Sequence, residues 1–133
     1  MAWVSHHLAN AYKCLHDFRN AYRLYTESLA IYERHYGVDH KECAQILRDF
    51  GNFYVLKKEY ATAEVMLKKA LVIFEKNKIP EAYTCHEYLG QLYRKKGQHD
   101  KAKMSYKAAL AMVRANFSND SAHTKRIIQE LNF

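Results

Sequence analysis

Proline and glycine are nearly missing from this chain: one proline and four glycines in 133 residues. A β-sandwich or barrel needs a turn signal every eight to twelve residues or so. That scarcity argues against such folds and leaves helices. Cysteine is also sparse. Cys14, Cys43 and Cys85 are odd in number and widely spaced, which is no disulfide framework. They read as free thiols, and the expected setting is a reducing one, the cytoplasm. No apolar run approaches the roughly 18 residues of a membrane-spanning helix. No basic start precedes an apolar run, so no secretory signal is read. The chain lacks Cys-x-x-Cys and His-x-x-x-His pairs. His40 and Cys43, three apart with His35 nearby, make too thin a set for structural zinc, so no metal or cofactor is expected. A glycine-rich phosphate loop and a nucleophile elbow are absent too, and the chain is read as no enzyme.

What is abundant is tyrosine, at 11 residues, and positive charge, at a net +7. The charge is uneven: zero over residues 1–42, +2 over 43–82 and +5 over 83–133. A basic half calls for an acidic partner, whether peptide, nucleic acid or lipid surface. The length fits one ordinary domain.

Three segments overlay on one another. Leu8-Ala9-x-x-Tyr12, Phe50-Gly51-x-x-Tyr54 and Leu89-Gly90-x-x-Tyr93 share a pattern. An alanine follows nine residues after each tyrosine: Ala21, Ala63 and Ala102. A repeat near 40 residues signals a stacked array in which no unit buries its apolar face alone. Such arrays present long surfaces, which points to binding rather than chemistry.

The helical pattern runs from Trp3 to about Leu15, then from Phe18 to about Tyr36. Gly37 suits the end of the second helix. Asp39 is read as the next N-cap, with Glu42 three residues on as in a capping box. Helices are expected from His40 to Leu56, Tyr60 to Lys76, Pro80 to Lys95 and Gln98 to Asn116. Pro80 fits a first helical turn. Asp120 is read as the cap of one last helix, because Ile127-Ile128-x-x-Leu131 repeats Ile46-Leu47-x-x-Phe50. The expected fold is all-α: three helix pairs and a C-terminal single helix. It forms one array over residues 1–133, with repeats at about 2–36, 40–77 and 80–117 and a partial fourth at 120–133.

The repeated residues have packing roles. Ala9, Gly51 and Gly90 are small where two helices cross closely, and Ala21, Ala63 and Ala102 face them. Tyr12, Tyr54 and Tyr93 fill the space alongside. Ser28, Ala70 and Ala109 let the next first helix approach, with Leu29, Leu71 and Leu110 beside them.

On these motifs the chain resembles the tetratricopeptide repeat family, over nearly its whole length. The family's frequent first-helix Trp is replaced by Ser5, Leu47 and His86. Its Pro after the second helix is missing, and a Tyr36-Gly37-Val38-Asp39-His40 linker follows the first pair instead. That spacing, near 42 residues, is similar to the repeats of kinesin light chains. The resemblance implies a right-handed superhelix with a concave groove lined by the first helices. It also implies an adaptor or scaffold that binds a peptide or protein and catalyses nothing.

If the first helices line a groove, the stripe opposite their apolar faces points into it. That stripe is Trp3, His6, Asn10 and Lys13 in the first repeat, and Gln45, Arg48, Asn52 and Val55 in the second. It continues as Thr84, Glu87, Gln91 and Arg94, then Arg126 and Gln129. Asn10, Asn52 and Gln91 are equivalent, and an amide offers both donor and acceptor to an extended peptide backbone. Lys13, Arg48, Arg94 and Arg126 outnumber Glu87, which favours an acidic segment. The cargo specificity of kinesin light chains does not carry over, because His6-His7, Arg48-Asp49 and Glu87-Tyr88 replace their Asn pairs. Nor does the carboxylate clamp of chaperone-binding relatives, since Asp49 and Tyr88 stand where an amide and a base are wanted.

The alternative reading is RNA binding through Lys95, Lys96, Lys101, Lys103 and Lys107. Three of these lie on a second helix, and no aromatic platform accompanies them. At the ends, Trp3, Val4, Ile128, Leu131 and Phe133 are expected to be exposed. The chain is therefore read as a segment of a longer protein or as one that self-associates end to end.

Overall fold

The computed structural model describes residues 2–117 and 121–132, and helices dominate it. They are α1 (Ala2–Cys14), α2 (Phe18–Tyr36), α3 (Lys41–Leu56), α4 (Tyr60–Lys76), α5 (Tyr83–Lys95), α6 (His99–Asn116) and α7 (Ala122–Glu130). A short 3-10 turn, Pro80–Ala82, leads into α5. The fold is all-α, as the turn-poor composition requires. By contact the chain divides into two compact units, residues 1–73 and 74–133.

The turns inside the helix pairs repeat as closely as the helices do. The Asp17 N–H donates to the Tyr12 carbonyl at 2.9 Å, Glu59 to Tyr54 at 2.9 Å, and Gln98 to Tyr93 at 2.8 Å. This six-to-one bond closes a helix end only if the preceding residue is left-handed. His16, Lys58 and Gly97 hold those places, with φ of 58°, 66° and 78°. Only Gly97 adopts the conformation without a Cβ penalty. The sequence places turns at His16-Asp17, Lys57-Lys58-Glu59 and Gly97, but only the glycine signals the left-handed backbone that all three share.

Two caps differ from expectation. α3 is capped by His40, whose Nδ1 accepts from the Glu42 N–H at 3.1 Å. Asp39 stands one residue too early. The His40 ring also stacks on Tyr36 at 4.3 Å, which anchors it there. α7 is capped by Ser121, which accepts from the Thr124 N–H at 3.2 Å. Asp120 lies outside the described residues, as do Ser118 and Asn119.

In the first unit, Ala9, Ala21, Leu24, Tyr25, Ile46, Phe50 and Phe53 form the core. Tyr25 stacks on Phe50 at 5.0 Å, and Phe18 meets Phe53 edge-on at 5.6 Å. The small residues work as expected. A Cβ on Gly51 would come within 2.8 Å of Leu67 Cγ, so α3 and α4 touch there. In the second unit a Cβ on Gly90 would come within 2.8 Å of the Tyr106 ring. Ala21, Ala63, Ala102, Ala70, Ala109 and Ser28 are fully buried. Leu29, Leu71 and Leu110 are only half-buried. Leu8 departs from its expected core role and is 44% exposed.

The second unit buries Tyr83, Ala109, Val113 and Ile127 together. Ile127 and Thr124 pin α7, and Tyr83 Oη is hydrogen-bonded to His123 Nδ1 at 3.0 Å. Burying a side chain such as Ile127 contributes about 1.5–3 kcal/mol. Trp3, Val4 and Ile128 are exposed, Leu131 is half-buried, and Phe133 lies outside the described residues.

Candidate functional site

In the first unit the stripe residues of α1 and α3 converge on an acid. His6 Nε2 lies 2.7 Å from Asp49 Oδ2, and Asn10 Nδ2 donates to the same oxygen at 3.1 Å. Arg48 Nε donates to Asp49 Oδ1 at 3.1 Å. The Tyr25 hydroxyl closes the set by donating to Asn10 Oδ1. His6, Lys13 and Asp49 are all buried. Burial alone would raise the Asp49 carboxyl. The His6 bond and the positive charges of Arg48 and Lys13 outweigh it and hold Asp49 well below the usual carboxylate range. Burial lowers the Lys13 ammonium, and Asp49 partly restores it.

The second unit builds a related arrangement from α5, α6 and α7. Arg126 grips the buried Glu87 with two bonds, at 2.8 and 2.9 Å. That grip raises the Arg126 guanidinium further. Glu130 is pushed up to about 8, first by burial and then by its hydrogen bond to Glu87. Two carboxyl groups can share a hydrogen bond only when one holds a proton. Burial, and next the nearby Glu130, raise the Tyr106 hydroxyl. Gln91, Arg94, Lys95 and Tyr106 line an open pocket of about 380 Å³.

The two clusters occupy matching places in the sequence pattern. His6, Asn10, Lys13, Tyr25 and Asp49 each stand 81 residues before Glu87, Gln91, Arg94, Tyr106 and Glu130. Base, amide, tyrosine and acid are kept; only His6 and Glu87 differ in kind. One repeat after the first set the same places hold Arg48, Asn52, Val55, Leu67 and Tyr88. Tyrosine and acid are lost, and Val55 and Leu67 are buried apolar residues. The stripe thus alternates in character from repeat to repeat.

Of the expected groove residues, His6, Asn10, Lys13 and Arg48 come together around Asp49. Gln45, Asn52, Thr84 and Gln91 are half-buried, and Arg94 is exposed. The Thr84 hydroxyl donates to the Glu81 carbonyl at 2.6 Å. Trp3 is 61% exposed, with its ring 4.4 Å from His7. Asp49, Tyr25, Tyr106 and Glu130 belong to the two clusters although the stripe pattern does not include them. The 81-residue recurrence is the signal that could have found them, masked because adjacent repeats do not share it. Lys95, Lys96, Lys101, Lys103 and Lys107 are all exposed, with Lys101 Nζ 5.6 Å from the Tyr93 ring centre. Among the described residues no helix is long and apolar enough to cross a membrane.

The chain is similar to several solved structures. One is BtubC (BKLC) from P. vanneervenii, with a TM-score of 0.85 and 18% identity, covering 98% of this chain and 53% of that one. Another is a putative kinesin light chain from Podosopora anserina with nearly identical TPR-like repeats, at 0.82 and 18%, covering 96% and 62%. A single-substitution form of that protein scores 0.81. At this identity the likeness is one of fold, and the chain spans just over half to three-fifths of those structures. No curated protein matches it. The Tetratricopeptide repeat family matches residues 1–76, and a second match under the same description covers residues 89–115. Small residues at the helix crossings, a tyrosine four residues beyond each first-helix leucine or phenylalanine, and paired helices closed by one recurring turn are the features that accompany that match, and the chain belongs to the tetratricopeptide repeat family.

Proposed function

We propose that this chain is a protein-interaction module, an adaptor or scaffold, that holds a segment of a partner against its first helices. The recurrence of base, amide, tyrosine and acid at an 81-residue interval supports this reading most directly. A packing requirement alone would not ask for four polar side chains in the same places twice. The repeat boundaries 2–36, 40–77, 80–117 and 120–133 belong to the same proposal. So does the absence of catalysis, since packing and turn roles absorb most buried side chains.

The partner segment is acidic. In the first unit, His6, Arg48 and Lys13 surround Asp49 and leave the set with a positive balance. In the second, Arg94 and Lys95 line the open pocket beside Gln91. An acidic side chain there gains charge-assisted bonds, while the amides of Asn52 and Gln91 serve the partner's backbone; the Asn10 amide, expected to join them, is engaged by Asp49 and Tyr25 instead. Cys14, Cys43 and Cys85 are thiols outside any disulfide, which supports a reducing, cytoplasmic setting.

The test is a pull-down of interacting proteins followed by anisotropy titration of the recovered segment. Binding should weaken about tenfold or more with Arg94→Glu or Arg48→Glu, and also fall with Asn52→Ala. Equal binding by all three variants would overturn the proposal. Strongly salt-dependent binding to random RNA, lost on changing Lys101 and Lys103, would favour nucleic acid instead.

A further inference from the structure

We propose that the first unit carries a second docking surface, a groove that takes an amphipathic helix of a partner protein. It shares no residue with the Asp49 cluster. Its origin lies in α4, where Val65 and Val72 are seven residues apart and so share a helical face. Each is 65% exposed. Valine is a middling helix former, and such a pair on a solvent face brings the helix no local benefit.

Beside them lies a groove of about 630 Å³ between α2 and α4, over α3. Leu29, Leu47, Met66 and Ile73 form its floor, and the exposed Val38 from the α2–α3 turn adds to its rim. Polar groups stand only at the edges. A small-molecule site of this size would place polar groups deep among the apolar ones to orient its ligand. An apolar floor with charged borders matches the way a helix lies in a groove, with anchors at i, i+3 or i+4, and i+7.

The borders state what the helix must carry. Glu33 and Asp39 come from α2 and its turn, and Lys68 and Lys69 from α4. The complementary helix therefore has one basic flank and one acidic flank around an apolar ridge. Lys68 is paired with the half-buried Glu64 at 3.0 Å, and its exposed ammonium keeps positive charge on that border. The first helix of a second copy meets the requirement poorly. The exposed apolar stripe of α1, with Val4 and Leu8, sits on a helix with no acidic residue and a single lysine, Lys13, which is buried.

The experiment is selection from a displayed library of amphipathic helices of about five turns, with ridge and both flanks varied. Enriched sequences should combine an apolar ridge with one Lys/Arg flank and one Asp/Glu flank. Their binding should fall about tenfold or more with Val72→Asp or Val65→Asp. Both valines are exposed, so these variants should keep the helical circular dichroism of the parent. Glu33→Lys combined with Asp39→Lys should reverse the preferred flank. Enrichment without the two-flank pattern, or insensitivity to Val72→Asp, would overturn the proposal. So would dilution-dependent self-association abolished by Val72→Asp, which would make a second copy the occupant. Failure here leaves the acidic-segment reading standing, because that reading is tested through Arg48, Asn52 and Arg94.

Discussion

Replacing Asp49 with alanine takes a carboxylate acceptor from three donors at once. His6 at 2.7 Å, Asn10 at 3.1 Å and Arg48 at 3.1 Å all rely on its carboxylate. The buried Lys13 also loses its counter-charge. Breaking a buried charged set by removing one member costs about 3–5 kcal/mol. Arg48 has 18% of its side chain exposed and can turn toward water, which places the cost near the lower end, about 3 kcal/mol. A unit of 73 residues has roughly 4–11 kcal/mol of stability at the usual scale per residue. The substitution thus removes between a quarter and most of it. Urea unfolding followed by circular dichroism near neutral pH measures the loss. A double-mutant cycle with Asn10→Ala should show coupling of about 1 kcal/mol. The pH dependence has a defined sign. The folded carboxyl lies below its unfolded value of 3.8, so its contribution is present above that value and lost as pH falls through the folded one. The gap between parent and variant should therefore close in strong acid. A loss under about 1 kcal/mol, or strict additivity with Asn10→Ala, would refute the account of a coupled buried cluster.

Gly51→Ala should destabilise the first unit by about 1–3 kcal/mol, read by thermal unfolding, because its methyl meets Leu67 Cγ at 2.8 Å. Lys58→Gly should stabilise it by about 1 kcal/mol, since a φ of 66° penalises any Cβ, and the same scan would show it. The Glu130 carboxyl sits near 8, above its unfolded 4.5, so the second unit should lose stability as pH rises from about 4.5 through about 8. Glu130→Gln should flatten that slope in unfolding midpoints taken across the range. Thiol labelling should modify Cys14 quickly and Cys43 and Cys85 only on unfolding. The first is exposed and the others are buried, with the Cys43 thiol raised to about 11 by its burial.

The chain's local chemistry determined much by itself. Turn scarcity dictated helices, and the spacing of Gly51, Ala63 and Tyr54 dictated paired ones, because small residues at constant offsets are what a close crossing needs. α2 and α4 fall where the apolar period places them, since that period records the face each helix buries. What the sequence could not decide is which polar residue meets which. Asp49 and His6 are 43 residues apart, and Glu87 and Arg126 are 39 apart. Only the packing of one first helix against the next turns such separations into hydrogen bonds. Surroundings then set each carboxyl: at the same position Asp49, beside His6, Arg48 and Lys13, is held well below the usual carboxylate range, and Glu130, part-buried beside another carboxyl, is pushed above it. Pattern along the chain fixes which face is inward. Three-dimensional proximity fixes what that face can bind, because electrostatics act through space and not along sequence.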